Sequence, residues 1–434
     1  MAILTVFNHG TGFNRAKGVE ANELVGWLHS HVIGDEARID RGRPVAGNYI
    51  INEGPGSTSG GIALPTEVNP MTGRMRNDEA FKFGKGDGKR SDFARGFAGQ
   101  DGGGKSAMSG NVSGAGWDEN VQRTVQIIQT LKFDNLLDVT HVNMVGWSRG
   151  AVTSIRIANK LYEVFGPGIE VNIVGIDPVA GQDAGVTMAD TQHLPPSVKN
   201  YIAVLSMHEM RRTFAPQDMD RMIIDDNTQT RTCFLPMPGK HNEQVMGRTG
   251  VSLEPQANIT RNLAFAFLRH FGTRFDGIPA PAFVSSRAMC EAYAEVRLAL
   301  QGGQFHDTSG TKSRIIGKGL GRREFATTEH MSQYVSGGKD GYWVNEHHRA
   351  CFKEAYAELY RDIFRGSART GQFAPANGAQ LAALGGAHTP LARSLIALGY
   401  VSNTAGRLTI HYGQGRYTGR PNDNLWPGAL PKHV

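Results

Sequence analysis

The chain has 434 residues, 40% of them hydrophobic and 20% charged, an ordinary balance for a globular protein and enough for one large core with an appendage or for two domains. No apolar run approaches the roughly 18 residues of a membrane span, so an integral membrane protein with transmembrane helices is excluded. The formal charge of +6 favours anionic surfaces, but the basic residues are dispersed and no aromatics interleave with them, so a solvated basic surface with no nucleic-acid partner is expected.

The opening stretch MAILTVFNHGTG lacks the basic start, long apolar run and small-residue cleavage site of a secretory signal. It reads as a strand, ILTVF at 3–7, entering a loop, and synthesis in the cytoplasm follows as the expectation. Apolar positions at helical spacing (Val19, Leu24, Trp27, Leu28, His31, Val32) predict a helix over 17–39. A second strand, NYIIN at 48–52, runs into GPGSTSGG. From 53 to 116 the chain is rich in Gly, Ser, Lys and Asp with little periodicity, a long insertion of the kind that is functional or disordered.

Within it, GQDGGGKS at 99–106 fits the phosphate-loop pattern letter for letter. A working phosphate loop needs a buried strand before it and a helix beginning at its Lys-Ser, so that backbone N–H groups converge on phosphate. Neither flank qualifies: GKGDGKRSDFARGFA precedes it, and AMSGNVSGAG follows with Gly110, Gly114 and Gly116 too close for a helix to start cheaply. The motif is read as idle surface chain.

From Trp117 the pattern tightens. WDENVQRTVQIIQTL places Val121, Val125, Ile128 and Leu131 on one helical face; HVNMVGW at 141–147 is a short buried strand, 148–165 a helix stopped by Gly166-Pro167, and VNIVGID at 171–177 another buried strand. Strand, helix and strand at this spacing form a parallel βαβ unit. Further strands are expected at 200–207 and 231–236 and a helix at 257–270. Beyond about 280 the expected elements are helices without clear strands, at 291–300, 344–364 and 379–384.

Chemistry enters at GWSRG, 146–150. In a chain with 55 glycines the pentapeptide alone carries little, and its setting decides. A buried strand ends at Trp147, Ser148 occupies the turn, and a helix departs with Val152, Ile155, Ala158 and Leu161 facing the sheet. Flanking glycines relieve the crowding of that sharp turn, and the helix N-terminus favours developing negative charge. A serine hydroxyl is inert without a base and an acid that orients the base. Asp177 lies at the end of the next strand, with Glu209 and Asp218 as fallbacks; the alternative for Asp177 is a turn former. His241, in a Pro/Gly loop after the last strand, is the best-placed histidine, and His208 is its rival. For the oxyanion, Arg149 N–H and the groups around Thr11 or Gly12 in FNHGTG are the expected donors.

Taken in order, FNHGTG, NYIINEGPGST, GAGWDENVQ, GWSRGA, VGIDPVAG, YIAVLSMHEMRRTFAP and FLPMPGKH resemble the α/β-hydrolase family of bacterial type VI secretion lipase effectors and their uncharacterised relatives. GWSRGA is the most specific element, and the resemblance covers roughly residues 1–270. The G-x-D-P pattern is also similar to the acid loop of pancreatic-type lipases, which favours Asp177 over its rivals. Where the family usually carries an acidic, glycine-rich string after its histidine, this chain has KHNEQVMG. The resemblance implies hydrolysis of phospholipid esters, export without a cleaved signal toward the membrane of a target cell, a secretion-machine carrier and a cognate immunity protein.

Trp343, His347, His348 and Phe352 fall on a predicted helix, where adjacent residues point about 100° apart, so His347-His348 is not metal spacing. Both an amphipathic lid and an ordinary packing helix fit that pattern. Asp218, Asp220, Asp225 and Asp226 form either a calcium site or a solvated acidic loop, and no other cofactor is expected. Cys233, Cys290 and Cys351, odd in number and without CxxC spacing, are expected to be buried reduced thiols.

The resulting expectation is an α/β fold of the α/β-hydrolase type: a mostly parallel sheet with helices on both faces over 1–280, and a helical cap or appendage over 281–434. The insertion at 53–116 and the C-terminal part would cover the substrate. A housekeeping ester hydrolase acting on a small soluble substrate, and a non-catalytic binding protein on a hydrolase scaffold, are the alternatives.

Overall fold

The structure, a computed structural model, describes residues 2–40, 43–55, 57, 117–134, 136–181, 189–209, 214–218, 221–226, 229–246, 255–276 and 285–301, with shorter pieces between 335 and 411. Its centre is a six-stranded sheet built from β1 (Ala2–Asn8), β2 (Tyr49–Asn52), β3 (Val139–Trp147), β4 (Glu170–Ile176), β5 (Val198–Ser206) and β6 (Arg231–Met237). The strands lie in the order β6-β5-β4-β3-β1-β2 and every neighbouring pair is parallel. This is an α/β fold. The sheet interior is apolar on both faces, with Leu4, Val6, Met144, Val145, Val174 and Ile176 all inaccessible to solvent, as an all-parallel sheet covered on both sides requires.

Two layers of helices supply that cover. The helices α3 (Trp117–Phe133) and α4 (Arg149–Phe165) pack on each other against one face, and α5 (Pro255–His270) lies on the opposite one. The strand period fixes this assignment. Along β1, Thr5 Oγ1 reaches Thr273 Oγ1 just past α5 at 2.8 Å, while Asn8, three residues on, reaches Ser154 of α4 through Nδ2 at 2.9 Å. In α4 the residues expected to face the sheet, Val152, Ile155, Ala158 and Leu161, are all buried.

A polar ladder runs across the α5 side of the sheet. Asn143, Asn172 and Asn200 are register partners on β3, β4 and β5. Their amides are linked, Asn200 Nδ2 to Asn172 Oδ1 at 2.7 Å and Asn172 Nδ2 to Asn143 Oδ1 at 3.0 Å, and Asn143 Nδ2 then donates to Phe271 O at 2.8 Å. This chain of bonds ties the end of α5 to three strands.

Two sequence expectations need correction. The helix predicted over 17–39 is two short helices, α1 (Arg15–Glu20) and α2 (Leu24–Ser30). Asn22 takes a positive φ of 49°, and the buried Glu23 carboxylate caps α2, accepting from Val25 N at 2.8 Å and Gly26 N at 3.0 Å. A capped start of this kind ends any helix running into it, and Val19, counted toward the continuous periodicity, is exposed. The C-terminal region is also not purely helical. Alongside a helix at Ser286–Gln301 it contains an antiparallel pair, Val335–Ser336 with Trp343–Val344, and a three-stranded antiparallel sheet of Phe373–Pro375, Val401–Thr404 and Arg407–His411.

Trp343 therefore sits on a strand instead of a helix. His347 is wholly buried and makes a 2.7 Å hydrogen bond between its Nδ1 and Tyr293 Oη, a packing role. His348, Phe352, the predicted helix at 379–384, the phosphate-loop string at 99–106 and nearly all of the 53–116 insertion lie outside the described residues. The three cysteine thiols are buried. No helix among the described residues is long and apolar enough to cross a membrane.

Candidate active site

In the strand order β2-β1-β3, the chain leaves β1 toward one edge of the sheet and leaves β3 toward the other. The loops after these two strands therefore part at the carboxyl end, and the crevice between them is where open parallel sheets bind ligands. The loop at 9–14 follows β1, and Ser148 follows β3.

Ser148 has φ 56° and ψ −129°, a conformation that L side chains rarely adopt. The glycines around it are required by contact. A Cβ on Gly146 would stand 2.4 Å from the carbonyl carbon of Gly150, and one on Gly150 would stand 2.2 Å from Asn8 O. Strand, turn and helix are thus pressed together, and the serine N–H is anchored to Ile176 O at 2.9 Å. The side chain is 5% exposed at the N-terminus of α4.

Asp177 directly follows β4, fully buried and at a positive φ of 41°. Its Oδ1 accepts from Ser206 N at 2.9 Å, and its Oδ2 lies 2.6 Å from His241 Nδ1. The carboxylate therefore fixes the imidazole with Nδ1 as donor, which leaves Nε2 as the basic nitrogen. Nε2 is buried and has no hydrogen-bond partner among the described residues. The ring is held between Trp147, the residue before Ser148, with centroids 5.2 Å apart, and Phe214, at 4.9 Å. Ser148 Oγ makes no hydrogen bond to another described residue, His241 included; the two are linked through Trp147, which precedes the serine and packs its indole on the imidazole.

The rival residues support the histidine loop instead of replacing it. His208 Nδ1 accepts from Gly239 N at 2.9 Å, and Glu209 Oε2 accepts from His241 N at 3.4 Å. Asp218 accepts the backbone N–H groups of Arg221 and Met222 at its carbonyl. The Asn242-Glu243 departure is accommodated locally, with Glu243 Oε2 accepting from Lys240 N at 2.8 Å.

The expected anion-binding donors are partly corrected. Arg149 N–H, first of α4, has no place in the helix ladder, as the geometry of any helix start dictates. Its side chain is buried, donates from Nε to Ala180 O at 3.2 Å, and has its pKa lowered to about 10 by burial. Gly12 N–H, however, donates to Pro55 O at 2.9 Å and is not available. The N–H groups of Gly10 and Thr11 make no hydrogen bond to a described residue. Gly10 lies flat on the Trp147 indole, where a Cβ would come within 2.4 Å of Cε2. Gly10 thus meets the residue that precedes Ser148, and Arg149 follows the serine at the start of α4.

Sequence reasoning missed Trp147 and Phe214 as walls of the histidine, and Ser206 N–H as the second hold on Asp177. The signal for Trp147 was its place in GWSRG; Phe214 and Ser206 carried none. Among the described residues no cluster of three His, Cys, Asp or Glu side chains is arranged to hold a metal. Asp225 is instead paired with His193 Nε2 at 2.6 Å, and Asp220 lies outside the described residues.

No protein-family model and no curated protein matches the chain. Among solved structures it is similar to an uncharacterized protein from Pseudomonas aeruginosa, with a TM-score of 0.38 and 12% identity over 92% of this chain. The match spans 62% of that protein's length, less than two thirds of it.

Proposed function

We propose that this protein is a serine ester hydrolase acting on lipid, with the acyl esters of phospholipids as its substrates. The observation that carries the reading is one constellation at the sheet edge: Ser148 at positive φ on a strand-to-helix turn, its neighbour Trp147 packed on the buried His241 imidazole, whose Nδ1 is 2.6 Å from the buried Asp177 carboxylate.

In this reading Ser148 Oγ attacks the ester carbonyl and its proton passes to His241 Nε2, while Asp177 stabilises the resulting imidazolium and holds its orientation. The negative charge moving onto the carbonyl oxygen meets Arg149 N–H, the start of α4, and an N–H of Gly10 or Thr11. His241 then protonates the departing alcohol as the acyl-oxygen bond breaks. A water attacks the acyl-serine with its proton going to the same nitrogen, and Ser148 is regenerated.

A lipid substrate is supported by the walls. Phe13, Trp147, His241 and Phe214 stand in a row, with Phe13 and Trp147 centroids 5.4 Å apart, an apolar surface suited to an acyl chain. At its end the exposed Lys17 ammonium rests 4.4 Å over Phe13 and suits an anionic headgroup. The family resemblance extends the proposal to export toward a target cell, with a secretion-machine carrier and an immunity protein as partners.

The test is incubation of wild type and Ser148→Ala with vesicles of phosphatidylethanolamine and phosphatidylglycerol, followed by mass spectrometry of released fatty acid. Release by wild type, lower by about 10³-fold or more in the variant, is expected. Equal release by both removes the assignment, and release by neither, with a short soluble ester still cleaved, moves the substrate from lipid to a small ester.

A further inference from the structure

We infer that Arg15 is a positioning residue for the anion-binding loop at 9–14, an inference that rests on the ester-hydrolase reading. Arg15 opens α1 directly after that loop and grips two carboxylates from separate segments. Its backbone N–H donates to Glu53 Oε2 at 2.7 Å and its Nε to Glu53 Oε1 at 2.6 Å. Its terminal nitrogens donate to Glu36 Oε2 at 2.9 Å and Glu36 Oε1 at 3.2 Å. The fork of the guanidinium matches a carboxylate on two sides at once, which an ammonium cannot do.

The partners are not surface decoration. The Glu53 side chain is fully buried, Glu36 is 14% exposed and Arg15 25%. Burial works against the charge on Arg15, but Glu53 and Glu36 outweigh it and raise the guanidinium pKa above its ordinary value. Glu36 also faces Arg123 of α3 at 3.8 Å.

What this grip holds is the donor loop. Glu53 begins a strap that runs against the turn at 10–13: Gly54 N donates to Phe13 O at 2.8 Å, Gly12 N to Pro55 O at 2.9 Å, and Phe13 N to Gly10 O at 3.0 Å. Strap and turn are so close that a Cβ on Gly54 would sit 1.8 Å from Gly10 O. On the inner side, His9 Nδ1 lies 3.3 Å from the buried Glu23 carboxylate. The Arg15 side chain joins the end of the loop to the strap and to Glu36, so its loss loosens the hold of one on the other and moves the Gly10 and Thr11 N–H groups off the oxyanion position.

Such donors act mainly on the transition state, so their displacement lowers kcat and leaves KM nearly unchanged. Arg15 touches no reacting atom in this account; it acts through the loop.

The experiment measures hydrolysis of p-nitrophenyl butyrate by wild type, Arg15→Ala and Glu36→Gln, with fluorophosphonate labelling of wild-type Ser148 alongside. For Arg15→Ala a fall in kcat of about 10- to 100-fold with KM within about twofold is expected. Added guanidinium ion, but not methylammonium, restores part of the lost rate, because Arg15 is accessible enough for a free fork to enter. Unchanged kcat in a folded Arg15→Ala, or a rise in KM alone, overturns the inference while leaving the hydrolase reading intact. Should Arg15→Ala not fold, Glu36→Gln decides: a fall in kcat of about 3- to 10-fold at constant KM supports the role, and an unchanged kcat refutes it. Wild type that neither cleaves the ester nor labels at Ser148 sinks the hydrolase reading and this inference with it.

Discussion

At Ser148 the backbone holds φ 56° and ψ −129° although the residue carries a Cβ. A non-glycine in such a region costs about 1–3 kcal/mol, retained only because surrounding contacts over-determine it. Here the contacts are identifiable: Ile176 O on the serine N–H, and glycines packed without room for a methyl group on either side. Ser148 Oγ makes no hydrogen bond to a described residue, so its removal breaks no bond to any of them. Ser148→Gly is therefore expected to abolish turnover and yet raise stability by about 0.5–1.5 kcal/mol, the relieved strain less the added freedom of glycine in the unfolded chain. Urea denaturation reads this directly, and a variant less stable than wild type contradicts the strain account.

Among the elements, the three asparagines across β3, β4 and β5 make a prediction that no apolar core residue would. Replacing Asn172 by Leu leaves both Asn143 Oδ1 and Asn200 Nδ2 without their bond partner in a buried layer. A buried polar group left unsatisfied costs about 1–3 kcal/mol, so Asn172→Leu is expected to lose about 2–4 kcal/mol despite adding apolar surface. A stability equal to wild type in thermal or urea unfolding would mean that the ladder contributes nothing. The ladder was legible only in part. Each of the three strands read as buried carries an Asn near its start, but which asparagines share a register depends on strand pairing that spacing alone does not supply. The helix expected over 17–39 failed for a related reason, since a Glu reads as an ordinary helical residue until its carboxylate turns back onto Val25 and Gly26 N–H as a cap. The antiparallel strands past residue 334 went unread because they are two to five residues long, too short for alternation to register.

Across the whole molecule, the candidate site gathers the turn after β1, the bend after β3, the end of β4 and the loop after β6 at one edge of a parallel sheet. That gathering was legible, because parallel strands deliver their following loops to the same side and the serine, acid and histidine each follow a predicted strand. Placing Ser148, Asp177 and His241 after those strands needed nothing more. The donor at Gly12 could not be judged in the same way, since its N–H is taken by Pro55, more than forty residues later. The Arg15 grip on Glu53 and Glu36 likewise spans 38 and 21 residues and has no local signature. The arrangement exists only in the folded chain, and this property gives the central claim its most direct measurement: reaction with an alkyl fluorophosphonate, followed by mass-spectrometric peptide mapping, on native wild type, urea-unfolded wild type and His241→Ala. A single adduct on Ser148 is expected in the native protein, absent after unfolding and strongly reduced without the imidazole. No adduct on Ser148 in the folded wild type, or equal labelling in its unfolded and His241→Ala forms, contradicts it.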